Sequence, residues 1–272
     1  MAMQPFDFSG KSVFVAGGTS GINLGIAEAF ARAGARVAVM SRSPDKVAAA
    51  VAALQQYGGE ARGFVADVRH YDAVKLALAE AQAAFGPIDV LVSGAAGNFP
   101  APALSMSANA FKAVVDIDLM GTFHVLQLAF PHLRKPGACI INLSAPQAAI
   151  PMPLQMHVCA AKAGVDMITR VAALEWASAG VRVNSIVPGP IADTEGMARL
   201  ASTPEATRQV AHSIPLGRYG TKQEIADACL WLASPMASYV TGVVLPVDGG
   251  WSLGGASLSM AGLMQTPSNP AA

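Results

Sequence analysis

Ser12-Val13-Phe14-Val15-Ala16-Gly17-Gly18-Thr19-Ser20-Gly21-Ile22-Asn23-Leu24-Gly25 is the stretch that decides the fold. The β-branched run Ser12–Ala16 predicts a strand, glycines follow at once, and Ile26–Ala33 continues as an Ala-rich run with helical spacing. Glycine permits a tight turn and lets backbone N–H groups reach a pyrophosphate at a helix N-terminus. An ordinary strand-to-helix turn uses glycine too, so the motif takes its meaning from its place after the first strand of a βαβ unit. Gly17, Thr19, Ser20, Gly21 and Asn23 are therefore candidate phosphate-binding positions.

Outward from that turn, short apolar runs recur at Arg36–Ser41, Arg62–Ala66, Ile88–Ser93, Ala138–Leu143, Val181–Val187 and Gly242–Val247. Ala-rich stretches with helical spacing lie between them, including Ile22–Ala33, Asp45–Gln56 and Tyr71–Phe85. Strand, helix, strand in steady alternation predicts right-handed crossovers and a parallel sheet. The runs lack polar alternation, as strands do when helices cover both faces. The expected class is α/β: a Rossmann-like, doubly wound parallel sheet of about seven strands with helices on both faces. No linker interrupts the rhythm, so residues 1–272 read as one domain. Ser252–Ala272, rich in Gly, Ser, Pro and Met, reads as a loose tail or a subunit arm.

Of the 272 residues, 53% are hydrophobic and 13% charged, against a usual charged share of about 25%. Disorder is excluded by that balance, and 18 Lys+Arg against 18 Asp+Glu argue against a nucleic-acid partner. So little charge predicts surface hidden between identical subunits. A homotetramer is expected, built on the long helices around Asn109–His132 and His157–Ala179. No apolar run approaches the roughly 18 residues a bilayer span needs. The N-terminus has no basic segment leading an apolar one, so the reading is cytoplasmic, with no membrane partner. Cys139, Cys159 and Cys229 show no metal-ligand spacing, and an odd count speaks against a disulfide framework; no metal is expected.

The second strand ends in Val39-Met40-Ser41-Arg42-Ser43. An acidic residue there would bind an adenosine ribose 2′-OH, and none is present. Arg42 can instead meet a 2′-phosphate through a charge-assisted bond, although a solvated arginine is the plainer alternative. Ser41 and Arg42 thus point to NADP(H).

With these residues in place the chain resembles the short-chain dehydrogenase/reductases over nearly its whole length. That family's phosphate motif is T-G-x-x-x-G-x-G; Gly17 and Gly21 match, whereas Ala16 and Asn23 depart from it. Asp67-Val68 resembles the family's adenine-binding pair, and Ser93-Gly94-Ala95-Ala96-Gly97 stands where the family has Asn-Asn-Ala-Gly. Pro188-Gly189-Pro190-Ile191 with Thr194 resembles its nicotinamide segment, and Asp248-Gly249-Gly250 its C-terminal D-G-G. The resemblance implies cofactor contacts at Asp67, Val68, Ala95, Ala96, Pro188, Gly189, Ile191 and Thr194.

The family usually works with Asn, Ser, Tyr and Lys, the last two spaced Y-x-x-x-K. Lys162 matches the lysine, but Val158 stands at the tyrosine, Ala145 at the serine and Asp118 at the asparagine. Two readings follow: a nucleotide-binding protein without chemistry, or a reaction needing no proton on a carbinol oxygen. Reduction of a conjugated thioester is such a reaction, because hydride adds at the far end of the conjugation and a carbon is protonated. The dienolate so formed needs hydrogen bonds on its oxygen and an acid near its α-carbon. Gly94–Phe99, Asp116-Ile117-Asp118 and Pro188–Gly196 are similar to the 2,4-dienoyl-CoA reductases, above all the peroxisomal branch, which also lacks the Tyr and Ser.

By that resemblance Lys162 binds the nicotinamide ribose and favours a developing enolate, while Asp118 and Asp248 orient a proton-giving water. Two carboxylates facing one another through water should leave one with a raised pKa. Asn98 and Phe99, past the fourth strand, are placed at a substrate entrance; an acyl-CoA-type substrate is expected. Plainer roles stand beside these: Asp118 as a structural carboxylate, Asp248 as a turn former, Phe99 and Met152, Met156 and Met167 as core. A carbonyl reductase of the 3-oxoacyl thioester type, with His157 or Ser144 as improvised acid, is the competing enzyme.

Overall fold

A computed structural model describes residues 6–194, 197–198 and 203–254. Its sheet is seven-stranded and wholly parallel, in the order β3-β2-β1-β4-β5-β6-β7. The strands are β1 Ser12–Ala16, β2 Arg36–Ser41, β3 Ala61–Val65, β4 Val90–Ser93, β5 Cys139–Leu143, β6 Arg182–Pro188 and β7 Val244–Val247. Helices α1 Gly21–Arg32, α2 Pro44–Gln55 and α3 Tyr71–Phe85 connect the first four strands. After β4 come α4 Ala108–Val114, a π-helical turn Val115–Met120, and α5 Gly121–Ala129. The chain closes with α6 Met156–Trp176, α7 Pro204–Ser213 and α8 Lys222–Ala233 around β6 and β7.

Both faces of the sheet are covered, which is why β1, β4 and β5 are buried at every position. One core joins the sheet to α1, α2 and α8 through Ile26, Phe30, Leu54, Ile225 and Leu230. The opposite core joins it to α3, α5 and α6 through Leu78, Phe85, Leu126, Ile140 and Ala172. The edge strands are the exceptions: β3 exposes Arg62, Gly63 and Val65, and β7 exposes Pro246. The expected strands recur with small shifts; Ile88, expected in the fourth, only bridges to Leu133.

The helical run Ala108–His132 corrects one expectation, since it is long and apolar enough by composition to cross a bilayer. Its apolar side is already in use, because Val125, Leu126, Leu128 and Ala129 pack into the core beneath it. Ser252–Gly254 end the described chain as part of a 3-10 turn after β7; the rest of the expected tail lies outside the described residues.

β1 and β4 are neighbours although β2 and β3 intervene in sequence, so the strand order reverses between them. At such a reversal the loops beyond the carboxyl ends diverge and leave a crevice. Gly17, at φ +79°, shows how closely its walls meet: a Cβ there would lie 2.8 Å from the backbone of Ala95.

Candidate functional site

The crevice encloses about 570 Å³. Gly17, Thr19, Ser20, Gly21 and Asn23 form its floor at the N-terminus of α1. Ser41 and Arg42 line the end beyond β2, joined by Lys46 on α2, which the sequence reading did not single out. Val68, Ala95 and Ala96 line the side toward β3 and β4, with Asp67. The Asp67 carboxylate is occupied by Arg69, which donates from Nε and Nη2 at 3.0 and 2.6 Å and holds its pKa below the usual range. Pro188 and Thr194 close the far end. Gly189 and Ile191 do not line it: Gly189 is pressed against Asp248 and Ile191 is buried beside Gly220.

Beside them, on the wall formed by the π turn, the end of β5 and α6, stand the groups with chemistry. Val158 and Ala145 both line the crevice, so the wall where the family keeps two hydroxyls is apolar at both positions. Asp118 reaches this wall because the π turn inserts an extra residue into the helix and redirects its side chains. Gly164 on α6 makes room, since a Cβ there would lie 2.7 Å from Leu119. Asp118 is 1% exposed; its Oδ1 accepts the Gly97 N–H at 2.7 Å, and Oδ2 lies 3.3 Å from Lys162 Nζ. That contact is an ion pair without hydrogen-bond alignment, because Oδ2 has no hydrogen-bond partner. Lys162, 5% exposed, donates instead to the Leu143 carbonyl at 2.9 Å.

Gln147 Oε1 on this wall is likewise buried without a partner, while the nearby Ser144 hydroxyl bears on the Asp166 carboxyl. Buried polar atoms are nearly always satisfied, so Asp118 Oδ2 and Gln147 Oε1, without hydrogen-bond partners on one crevice wall, mark where a polar ligand belongs. With the glycine floor, they fit a nicotinamide nucleotide and its substrate. Asp166, one turn beyond Lys162, was also missed. Burial raises its carboxyl pKa, against lowering contributions from Ser144, Arg170, Lys162 and Ser185.

Several expected residues take other places. Asp248 is not among the described lining residues, and its oxygens accept the N–H groups of Gly250 and Ser252, each at 2.9 Å. Burial pushes its pKa up, but the hydrogen bonds outweigh this and leave the net value lowered. It organises the turn behind Gly189. Asn98 lines the crevice, whereas Phe99 packs edge-on against His157 at 4.6 Å between centroids. His157 is fully buried with neither ring nitrogen bonded, and does not line the crevice. Met156 and Met167 are more than half exposed rather than core, and Met152 accepts from Gln147 Nε2 through sulfur.

A family model described as enoyl-(acyl carrier protein) reductase matches residues 16–252. The peroxisomal 2,4-dienoyl-CoA reductase of Rattus norvegicus is 45% identical over 242 residues, covering 88% of this chain and 83% of that protein. The peroxisomal 2,4-dienoyl-CoA reductase of Saccharomyces cerevisiae is 39% identical over 256 residues, covering 92% and 87%. Among solved structures, a short chain dehydrogenase from Bacillus anthracis superposes with a TM-score of 0.79 at 36% identity, covering 89% of this chain and 96% of that one.

Proposed function

Because this chain belongs to the short-chain dehydrogenase/reductase family and is an oxidoreductase of that family, we propose that it reduces a conjugated acyl thioester with NADPH, taking 2,4-dienoyl-CoA to an enoyl-CoA. The observation that carries this reading is the catalytic wall itself: Val158 and Ala145 supply no hydroxyl, while a buried Asp118–Lys162 pair stands where the reaction would occur. In such a reduction a nicotinamide supplies hydride to the far end of the diene. The residues of this chain do the rest. Lys162, held by the Leu143 carbonyl, binds the nucleotide ribose and adds positive potential that favours the dienolate. Asp118, fixed by Gly97, keeps Oδ2 free to orient the water whose proton reaches the α-carbon. Asp248 supports the segment behind Pro188 and Gly189. Arg42 and Lys46 select the 2′-phosphate.

The two reductase relatives support the substrate class, since both are named for 2,4-dienoyl-CoA. Ser144 favours one competing reading, because its hydroxyl lines the crevice one residue from the empty serine position and would serve a 3-oxoacyl thioester. Rates of NADPH consumption with dienoyl-CoA, enoyl-CoA and 3-oxoacyl-CoA decide between them. Dienoyl-CoA should be the substrate reduced fastest; a 3-oxoacyl-CoA reduced faster would overturn the proposal.

A further inference from the structure

Two walls of the nucleotide crevice, the turn after β1 and the segment after β4, are joined by one side chain. Asn23 Nδ2 donates to the Gly94 carbonyl at 2.7 Å and reaches the Gly17 carbonyl at 3.4 Å. Position 94 is shaped to receive it. A Cβ on Gly94 would lie 2.3 Å from Asn23 Oδ1 and 2.6 Å from its Cγ, so the amide fills the space any side chain at 94 would need. The motifs of the family place these residue types the other way round, with glycine in the turn and asparagine after β4.

We infer that Asn23 and Gly94 form an exchanged, coupled pair in which Asn23 is a positioning residue, tying the phosphate turn to the β4 segment and setting the width of the crevice. The turn needs such a tie because Gly17 and Gly21 both sit at positive φ, +79° and +56°, where glycine leaves the backbone most freedom. A nucleotide spanning the crevice must touch both walls, and walls held in place beforehand cost less ordering on binding. The inference rests on the reading of the crevice as a nicotinamide-nucleotide site.

The test is a double-mutant cycle on the whole protein, with two readouts. Asn23→Gly should weaken NADPH binding about fivefold, the worth of one net hydrogen bond. It should leave adenosine 2′-monophosphate, which lacks the 5′-phosphate and so reaches only the Arg42 end, much less affected. Gly94→Ala should lower Tm by about 5 °C through overpacking, and adding Asn23→Gly to it should recover part of that loss. Tm changes that simply add, or an Asn23→Gly variant binding NADPH as tightly as the parent, would overturn the inference. A parent protein that binds no nicotinamide nucleotide would sink the proposed function instead, and the coupling in Tm would then judge the pair alone.

Discussion

Asp118→Asn isolates the charge at the centre of the catalytic wall. The amide oxygen can still accept the Gly97 N–H, so shape and one hydrogen bond survive. What changes is the atom facing Lys162 Nζ across 3.3 Å: a carboxylate oxygen becomes an NH2. At that distance two unit charges attract by about 5 kcal/mol for an effective dielectric near 20, and burial offsets much of the gain. Breaking a buried pair by removing one partner costs about 3–5 kcal/mol in general. Here the Leu143 carbonyl still bonds the ammonium, and an isosteric amide fills the space. A loss of about 2 kcal/mol follows, seen as a Tm lowered by about 4–8 °C. Turnover should fall further, by roughly 10²–10⁴ if Asp118 delivers the proton. The assay is single-turnover consumption of NADPH with dienoyl-CoA, at a temperature where circular dichroism shows the variant folded. Because Lys162 is the partner, NADPH affinity is measured separately so that a binding loss is not read as lost chemistry. A folded variant with undiminished turnover would make Asp118 structural and leave the proton to water or to His157.

Arg42→Ala should weaken NADPH about tenfold, the worth of one charge-assisted bond, and leave NADH nearly unchanged; fluorescence titration with both nucleotides decides it, and equal losses refute the 2′-phosphate reading. Leu119, Phe123, Phe130, Met167 and Val171 line an outward-facing apolar groove on α5 and α6, and the homo-oligomer proposed from the low charge content would cover it. Phe123→Glu should then shift the mass found by light scattering toward monomer, and a parent already monomeric at micromolar concentration refutes the assembly. Glu224, in the capping box of α8, is held down to about 2 from 4.5 chiefly by the Arg218 guanidinium. Its contribution is present above pH 4.5 and disappears as pH falls through about 2. Glu224→Gln should flatten that part of a Tm–pH curve, with a cost at neutral pH below about 1 kcal/mol because the pair is exposed. An unchanged curve would show that the pair contributes nothing.

The sheet was legible because its signals are local. β1 and β2 occupy the expected residues, since buried strands in a covered parallel sheet read as unbroken apolar runs and the glycine turn marks where the first one ends. Errors arose where context decides. Ile88 has the composition of a strand residue but meets Leu133, ahead of the start of β5. Met156 and Met167 have core character in sequence, yet both are more than half exposed on α6.

The site was legible in identity but not in arrangement. A motif can place Lys162, Val158 and Ala145 along one helix and one strand end, where spacing alone fixes geometry. Asp118 is different. In a regular helix of about 3.6 residues per turn its direction would follow from its position, but the π turn at Val115–Met120 adds a residue whose only sequence trace is glycine at 121 and 164. A Cβ at 121 would lie 2.6 Å from Val68, and one at 164 would lie 2.7 Å from Leu119, so both glycines admit the widened turn. The Asp118–Lys162 pair then forms where the β4 segment, the π turn, the end of β5 and α6 converge, through Gly97, Asp118, Leu143 and Lys162. Asp248 shows the reverse: its D-G-G spacing is served locally, with the Gly250 and Ser252 N–H groups each donating to one of its oxygens. Asp248 keeps spare lone pairs but is not among the described crevice-lining residues, whereas Asp118 lines the crevice and keeps one oxygen free of any hydrogen bond beside a buried ammonium. That asymmetry places the proton chemistry on Asp118 in the proposed reaction.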